Sequence, residues 1–343
     1  MKHFKRIIVW IGLSVVIQFS VLLYLNNYLF STNGNSIKTK KVETNVNKAL
    51  VNQEIYIPLD ASQIAISYDG SYVSYYENEI LNIINNSTGE LKQVSFAEGS
   101  KVSFYKWLPD RNRMLITEKT QVKAGGMLKL SQYDVDKKEK VEEKSLTLTD
   151  NKFEVNDIAL STLSNVIYIK TINLEARGTI YYLNVMKEMK KIETKGYIIG
   201  NIEVIPHEDK LVYEDLTYNK VYITNISNTI NIKGVSKLAL LSVDSDDNIY
   251  LGQLESDKVI KVFSGVLKDA TSNWKITELK EPVNTQDIYI SFNGDMYIND
   301  NLMGIITQVS TGNTMNYQGK FLSMYEGGIA SISQGKLIRT SLK

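Results

Sequence analysis

The chain has 343 residues, 43% of them hydrophobic and 22% charged, a balance that allows a large buried core. The formal net charge is +1, so the concentrated basic face of a nucleic-acid binder is not expected. Cysteine is absent, which excludes disulfides, thiolate metal sites, lipid attachment at Cys and a cysteine nucleophile together.

Residues 1–6 carry Lys2, Lys5 and Arg6 and no acid. Ile7–Leu25 then runs without a charge, close to the roughly 20 apolar residues that cross a hydrocarbon core of about 30 Å. The expectation is a single-pass membrane anchor over 7–28, with residues 1–6 as a cytoplasmic tail by the positive-inside bias. The remainder would then lie outside the cell membrane, with Trp10, Tyr24 and Tyr28 as interfacial anchors. A cleaved signal peptide is the rival reading. Its apolar region is ordinarily shorter, and Leu25-Asn26-Asn27-Tyr28 offers no Ala-x-Ala site. Gln18 is either a tolerated polar residue or a hydrogen bond to a partner's helix.

Residues 29–52 are polar, with Ser31-Thr32-Asn33-Gly34-Asn35-Ser36 followed by Lys38, Lys40 and Lys41. They read as a linker. From residue 53 to 343 no convincing amphipathic helix occurs. Short apolar runs alternate instead with turns rich in Gly, Asn and Asp, and the 21 Tyr favour strands.

Self-similarity organises these runs. A unit of strand, polar turn, strand, third strand, turn and fourth strand is clearest from Ile64 to Val94. Its first turn is Asp69-Gly70, for which positive φ at both central positions is expected. Comparable turns fall near 110, 164, 208, 246, 293 and 327. Their spacing brackets the repeat of a four-stranded propeller blade. The predicted fold is all-β, a β-propeller of about seven four-stranded blades, with six or eight as neighbouring counts. The last unit shows only three strands. Glu54–Leu59, upstream of the first, is expected to complete it and close the ring.

Ser67-Tyr68-Asp69-Gly70-Ser71-Tyr72-Val73-Ser74-Tyr75 resembles the S-x-D-G-x-x-[IV]-[AV]-[FY] signature of WD40-like repeats. These occur in TolB-type proteins and in the propellers of prolyl-oligopeptidase-type peptidases. Ser87–Val94 is similar to that repeat's closing strand. The likeness is good for one repeat, partial around Asn293-Gly294, and lacks the Pro before Asp69. It implies a fold rather than an activity, because such propellers host many functions.

The chemical inventory is thin. Of two histidines, His207 is the one outside residues 1–6, in the turn Pro206-His207-Glu208-Asp209; it reads as a solvated turn residue, since a zinc site needs further ligands. There is no Gly-x-Ser-x-Gly elbow, and the expectation is that no hydrolase half accompanies the propeller. Gly125-Gly126 and Gly327-Gly328 lack a phosphate-binding loop around them. Asp244-Ser245-Asp246-Asp247-Asn248 alternates hard oxygen ligands, but the places of a Ca²⁺ loop's Gly and closing Glu hold Ile249 and Glu255. It reads as a hairpin turn. The charged run Asp136–Lys144 reads as a solvated loop. Tyr72, Tyr75, Tyr76, Tyr105, Trp107 and Trp274 could stack on sugar rings, though strand periodicity favours packing between blades.

No catalytic, cofactor-binding or metal-binding residue is therefore assigned. The leading expectation is a membrane-anchored, extracytoplasmic, non-enzymatic scaffold, sensor or accessory subunit of a bacterial envelope or export assembly. It would meet a protein or polysaccharide partner. One rival is a glycan-acting hydrolase or lyase with carboxylates in the propeller channel, recognisable by two or more acids converging with perturbed pKa values. Another is a lectin, recognisable by exposed coplanar aromatics on one face.

Overall fold

The computed structural model describes residues 2–24, 53–122, 125–148, 152–226 and 229–342; within its helix, side chains are described at 6, 10, 12–22 and 24. The chain divides into two units, Met1–Leu50 and Val51–Lys343.

In the first unit, helix α1 covers Lys2–Tyr24. Among the described residues, no helix is long and apolar enough to cross a membrane. Helix α1 also carries polar side chains among its apolar ones. It includes Ser14, Gln18 and Ser20, whose hydroxyl bonds back to the Val16 carbonyl at 2.8 Å. This overturns the single-pass anchor expected over 7–28, along with the cytoplasmic N-terminus and membrane location derived from it. The linker assigned to 29–52 lies outside the described residues.

The second unit is a seven-bladed β-propeller. Blade 1 holds β1 (Ser62–Ile66), β2 (Tyr72–Glu77), β3 (Ile80–Asn85) and β4 (Leu91–Val94). Blade 2 holds β5 (Ser100–Trp107), β6 (Arg113–Val122), β7 (Gly125–Asp134) and β8 (Glu139–Leu148). Blade 3 is β9 (Glu154–Ser161), β10 (Val166–Ile172), β11 (Gly178–Leu183) and β12 (Met189–Ile192). Blade 4 is β13 (Ile199–Val204), β14 (Leu211–Asp215) and β15 (Lys220–Ile223). Ile230 occupies the fourth place through one bond from its N–H to the Val221 carbonyl at 3.0 Å. Blade 5 is β16 (Leu238–Val243), β17 (Ile249–Glu255), β18 (Lys258–Gly265) and β19 (Lys275–Val283). Blade 6 is β20 (Ile288–Ile290), β21 (Met296–Asp300), β22 (Ile305–Gln308) and β23 (Thr314–Asn316). Blade 7 is β24 (Lys320–Tyr325), β25 (Gly328–Ser333) and β26 (Lys336–Ser341).

Each predicted turn near 69, 110, 164, 208, 246, 293 and 327 joins the first strand of a blade to its second. The missing strand of blade 7 is supplied from upstream of blade 1. Tyr56 bridges Lys336 in antiparallel sense, and the Ile57 N–H reaches the Gly335 carbonyl at 2.8 Å. The ring is closed as the sequence predicted, by a segment shorter than Glu54–Leu59.

Turn chemistry departs from expectation in one place. At Asp69-Gly70 only Gly70 has positive φ, at 72°. The Gly70 N–H bonds to the Ser67 carbonyl at 3.0 Å, so a tight turn precedes a left-handed glycine. The two-residue hairpins with both central residues at positive φ lie elsewhere, at Asn78-Glu79, Ser256-Asp257 and Gln334-Gly335.

The core lies between blades, not within them. Seven apolar clusters fill the seven blade-to-blade interfaces. Successive residues of one strand enter different clusters. Tyr72 packs toward blade 2, whereas Val73 and Tyr75 pack toward blade 7. A strand buried on both faces cannot show polar–apolar alternation, and all five residues of β14 are buried.

Candidate functional site

The first strands of the blades, β1, β5, β9, β13, β16, β20 and β24, surround the axis of the ring, and those of blades 7, 1, 2, 3, 4, 5 and 6 follow one another side by side. The penultimate residues of β5, β13 and β20 are Lys106, Glu203 and Tyr289. Each sits one residue before the end of its strand, and Lys106 and Tyr289 both feel the Glu203 charge. Asp157 joins them from β9.

Lys106 Nζ donates to Asp157 Oδ1 at 3.2 Å, and the same oxygen accepts the Ile158 N–H at 2.8 Å. The two side chains are 37% and 23% exposed, although the ring surrounds them. Water in the channel reaches them, but protein encloses them on the sides. Burial works against the Lys106 charge, yet Asp157 and then Glu203 outweigh it and raise its pKa.

Glu203 behaves differently. Burial pushes its carboxyl up from 4.5 to about 7; Lys106 opposes the rise and Asp157 adds to it. It has no hydrogen bond or ion pair with any described residue to offset the desolvation. The Tyr289 hydroxyl is raised by burial and then by the Glu203 charge; it donates to the Met324 carbonyl at 3.2 Å, which ties blade 6 to blade 7.

A second layer backs this one. Lys170, 5% exposed, is the cross-strand partner of Asp157, and its ammonium donates to the Gly200 carbonyl at 2.6 Å. Burial lowers its pKa, with Asp157 and Glu214 pulling the other way. Burial raises Glu214, against the Asn201 N–H that it accepts at 3.2 Å. Gly200 leaves room for this carboxylate: a Cβ there would sit 2.3 Å from Glu214 Oε2.

Two acids, Asp157 and Glu203, thus lie on the first strands of neighbouring blades, and Glu203 is strongly perturbed. Neither was singled out from sequence. The available signal was a charge interrupting an apolar first strand, as in Tyr105-Lys106-Trp107 and Ile202-Glu203-Val204.

The residues weighed in sequence fall into structural roles. Asp69 Oδ1 accepts the Ser67 hydroxyl and the Ser71 N–H, each at 2.9 Å. Its Oδ2 takes the Ser71 hydroxyl at 2.8 Å and the Asn112 amide of blade 2 at 3.1 Å. The repeat-like motif is a turn that also clamps the next blade. Asp244 builds the corresponding turn within blade 5, accepting the Asp246 and Asn248 N–H groups at 2.9 Å and the Tyr250 hydroxyl at 2.8 Å. Among the described residues no group of His, Cys, Asp and Glu could hold a metal ion. His207 is an exposed turn residue whose Nδ1 lies 3.1 Å from Asp247 Oδ1. Tyr72, Tyr75, Tyr105, Trp107 and Trp274 are buried and Tyr76 half-buried. Tyr72 stacks on Trp107 across the blade 1–2 seam, and Trp107 Nε1 donates to Ser74 Oγ at 2.9 Å. The run Asp136–Lys144 is not the open loop expected. Its second half begins β8, and Lys140 pairs at 2.5 Å with the almost fully buried Glu118.

A second feature lies at one end of the ring. Strands alternate in direction, so second-to-third-strand turns and blade-to-blade connections share that end. Leu174 occupies the β10–β11 turn, Tyr197 and Ile198 the connection from β12 to β13, and Leu216 and Tyr218 the β14–β15 turn. Their exposures are 77%, 75%, 41%, 46% and 70%. The Gly178 N–H bonds to the Tyr197 carbonyl at 2.7 Å and the Leu216 N–H to the Ile198 carbonyl at 2.9 Å, so the three segments touch. Arg177 lies over the Tyr197 ring at 5.8 Å.

No protein-family model and no curated protein matches the chain. Among solved structures it is similar to a luciferin-regenerating enzyme, with a TM-score of 0.43 and 11% identity over 71% of this chain and 84% of that one. It is also similar to a structure from a study of two prolyl endopeptidases, with a TM-score of 0.49 and 13% identity over 84% of this chain. It spans about half, 48%, of that second protein. The TolB-type resemblance therefore finds no family match, and the conclusion that stands is that the chain contains a seven-bladed β-propeller.

Proposed function

We propose that the chain is a non-enzymatic interaction scaffold that docks a protein partner on the connectors of blades 3 and 4. One observation carries this reading: Leu174, Tyr197, Ile198, Leu216 and Tyr218 are exposed side by side on touching segments. Contiguous exposed apolar surface of this kind marks interaction sites, and Tyr with flanking Arg177 matches the composition of interface cores. Aliphatic neighbours favour protein over polysaccharide, since a sugar site surrounds its aromatics with converging polar groups. The blade-to-blade clusters beneath hold these connectors on a rigid frame. The sole His of the propeller sits in an outer turn, which also supports binding over catalysis.

The test is site-specific photo-crosslinking of the full chain in cells of its source, with the crosslinker at position 197 or 218. Position 186, on the opposite end, serves as the control. One discrete polypeptide adduct from 197 and 218, lost in Leu174→Ser/Leu216→Ser, is expected. Equal adducts from 186, or adducts to glycan alone, would reject the reading.

A further inference from the structure

We infer that the outer edge of blade 7, from Ile338 to Ser341, receives an extended segment of a partner protein, which adds as a strand in the fourth place of that blade. This is independent of the docking face on blades 3 and 4. Strand β26 runs from Lys336 to Ser341, but the closing segment covers only its start. Tyr56 bridges Lys336, and the Leu337 N–H donates to the Ile55 carbonyl at 2.9 Å. Backbone groups of successive residues turn to opposite edges of a strand. Arg339 and Ser341 therefore face outward as Leu337 does, whereas the Leu342 N–H faces inward, to the Gly327 carbonyl at 2.9 Å. Continuing the Tyr56–Lys336 register places Gln53 opposite Arg339, yet no backbone bond joins them. Among the described residues, the outward N–H and C=O groups of Arg339 and Ser341 have no partner, and neither residue is buried. Such an edge is a template for another strand.

The space beside this edge selects the occupant. A hollow of about 700 Å³ lies between β26 and the outer strands of blade 6, within the size range of ligand sites. Thr340 and Leu342 line it from blade 7, and Tyr297, Thr314 and Met315 from blade 6. None of the described residues lining it is charged. A second hollow, of about 410 Å³, borders the same strand at Gln53, Ile338 and Arg339. Side chains opposite one another on paired strands share a face, so the incoming residue opposite Thr340 would enter the larger hollow. An ionised side chain there would lose water without gaining a partner charge. Threonine or valine suits the place, being uncharged and fitted to a pleated edge beside Thr340. Outward N–H and C=O groups two residues apart match an extended polypeptide backbone, not a glycan. A free segment reaches an edge set between two blades, whereas the rim of a second propeller would meet β23 first.

Fluorescence anisotropy of the full chain with a labelled, end-blocked peptide, Lys-Thr-Val-Thr-Val-Thr-Lys, tests this. Saturable binding with a dissociation constant below about 1 mM is expected. The same peptide N-methylated along its backbone, which offers no N–H to the edge, should bind at least roughly tenfold more weakly. Ser341→Pro removes one outward N–H and no bond to β25, and should weaken binding roughly fivefold. Thr340→Arg, which brings a charge to the hollow, should weaken it roughly tenfold or more. Both variants should keep the parent's far-ultraviolet spectrum; should Ser341→Pro not fold, Thr340→Arg must still weaken binding. Absence of saturable binding, equal binding of the methylated peptide, or undiminished binding by a folded Ser341→Pro overturns the inference. So does a dimer of the full chain in sedimentation that Ser341→Pro abolishes, because the edge would then belong to a second copy.

Discussion

The Leu337 N–H donates to the Ile55 carbonyl at 2.9 Å, and this bond joins the two extremities of the propeller. Ile55 and Ile57 enter the same apolar cluster as Val73 and Tyr75 of blade 1 and Leu337 of blade 7. One short segment therefore closes the sheet of blade 7 and fills the seam between the last blade and the first.

Ile57 is 4% exposed, so Ile57→Ala should cost about 2–4 kcal/mol through lost burial and a cavity. Leu59, two residues on and 98% exposed, should tolerate the same change within about 0.5 kcal/mol. Urea denaturation of both variants separates seam closure from a general effect of altering this segment.

Gly70, Gly99 and Gly312 all have φ between 72° and 78°, but a Cβ at Gly70 would lie 2.5 Å from the Tyr325 ring of blade 7, whereas the other two face open space. Alanine at 99 or 312 should cost about 1 kcal/mol, the backbone strain alone. At 70 the overpacking should add a further 1–3 kcal/mol. Equal losses at all three sites in thermal unfolding would show that the seam yields freely.

Burial works against ionised Asp69, but the Ser71 N–H and hydroxyl, then Asn112 and Ser67, outweigh it and lower its pKa. A depressed carboxylate stabilises the fold above its unfolded pKa, near 3.8, and that contribution fades as pH falls through the lower folded value. Asp69→Ala should therefore cost about 2–3 kcal/mol at pH 7. The gap to the parent should narrow below about pH 4. A gap independent of pH in denaturant titrations would mean that the charge contributes nothing.

Glu203 has the opposite sign. Its folded pKa of about 7 lies above the ordinary 4.5, so the native state binds the proton more tightly than the unfolded chain does. Its contribution is intact below pH 4.5 and is lost as pH rises through 7. Glu203→Gln, always neutral, should match the parent near pH 4.5 and exceed it above pH 7 by about 1–2 kcal/mol, channel water screening the rest. A flat difference across that range, measured by urea unfolding, would show that Glu203 ionises without cost.

Particular residues show where sequence reading succeeds. Ser67, Asp69 and Gly70 specify their turn locally, because side-chain acceptors and a left-handed glycine act within four residues. The turns near 110, 164, 208, 246, 293 and 327 are equally short, and their spacing is enough to count the blades. The strand missing from blade 7 and the unpaired one before blade 1 imply ring closure before any coordinates are seen. The apolar length of 7–25 was a weaker guide, since composition alone did not make α1 a membrane-crossing helix.

The channel and the apolar connectors belong to the other class. Lys106, Asp157 and Glu203 come from three blades, and Leu174, Tyr197 and Leu216 from three separate connectors; within any one segment there are at most two such charges or two exposed apolar side chains. Sequence by itself determined the period, the turns and the number of blades, because hydrogen bonding and alternation act over a few residues. Only the closed ring decided which isolated side chains face one another, because that depends on how seven blades align around a common axis.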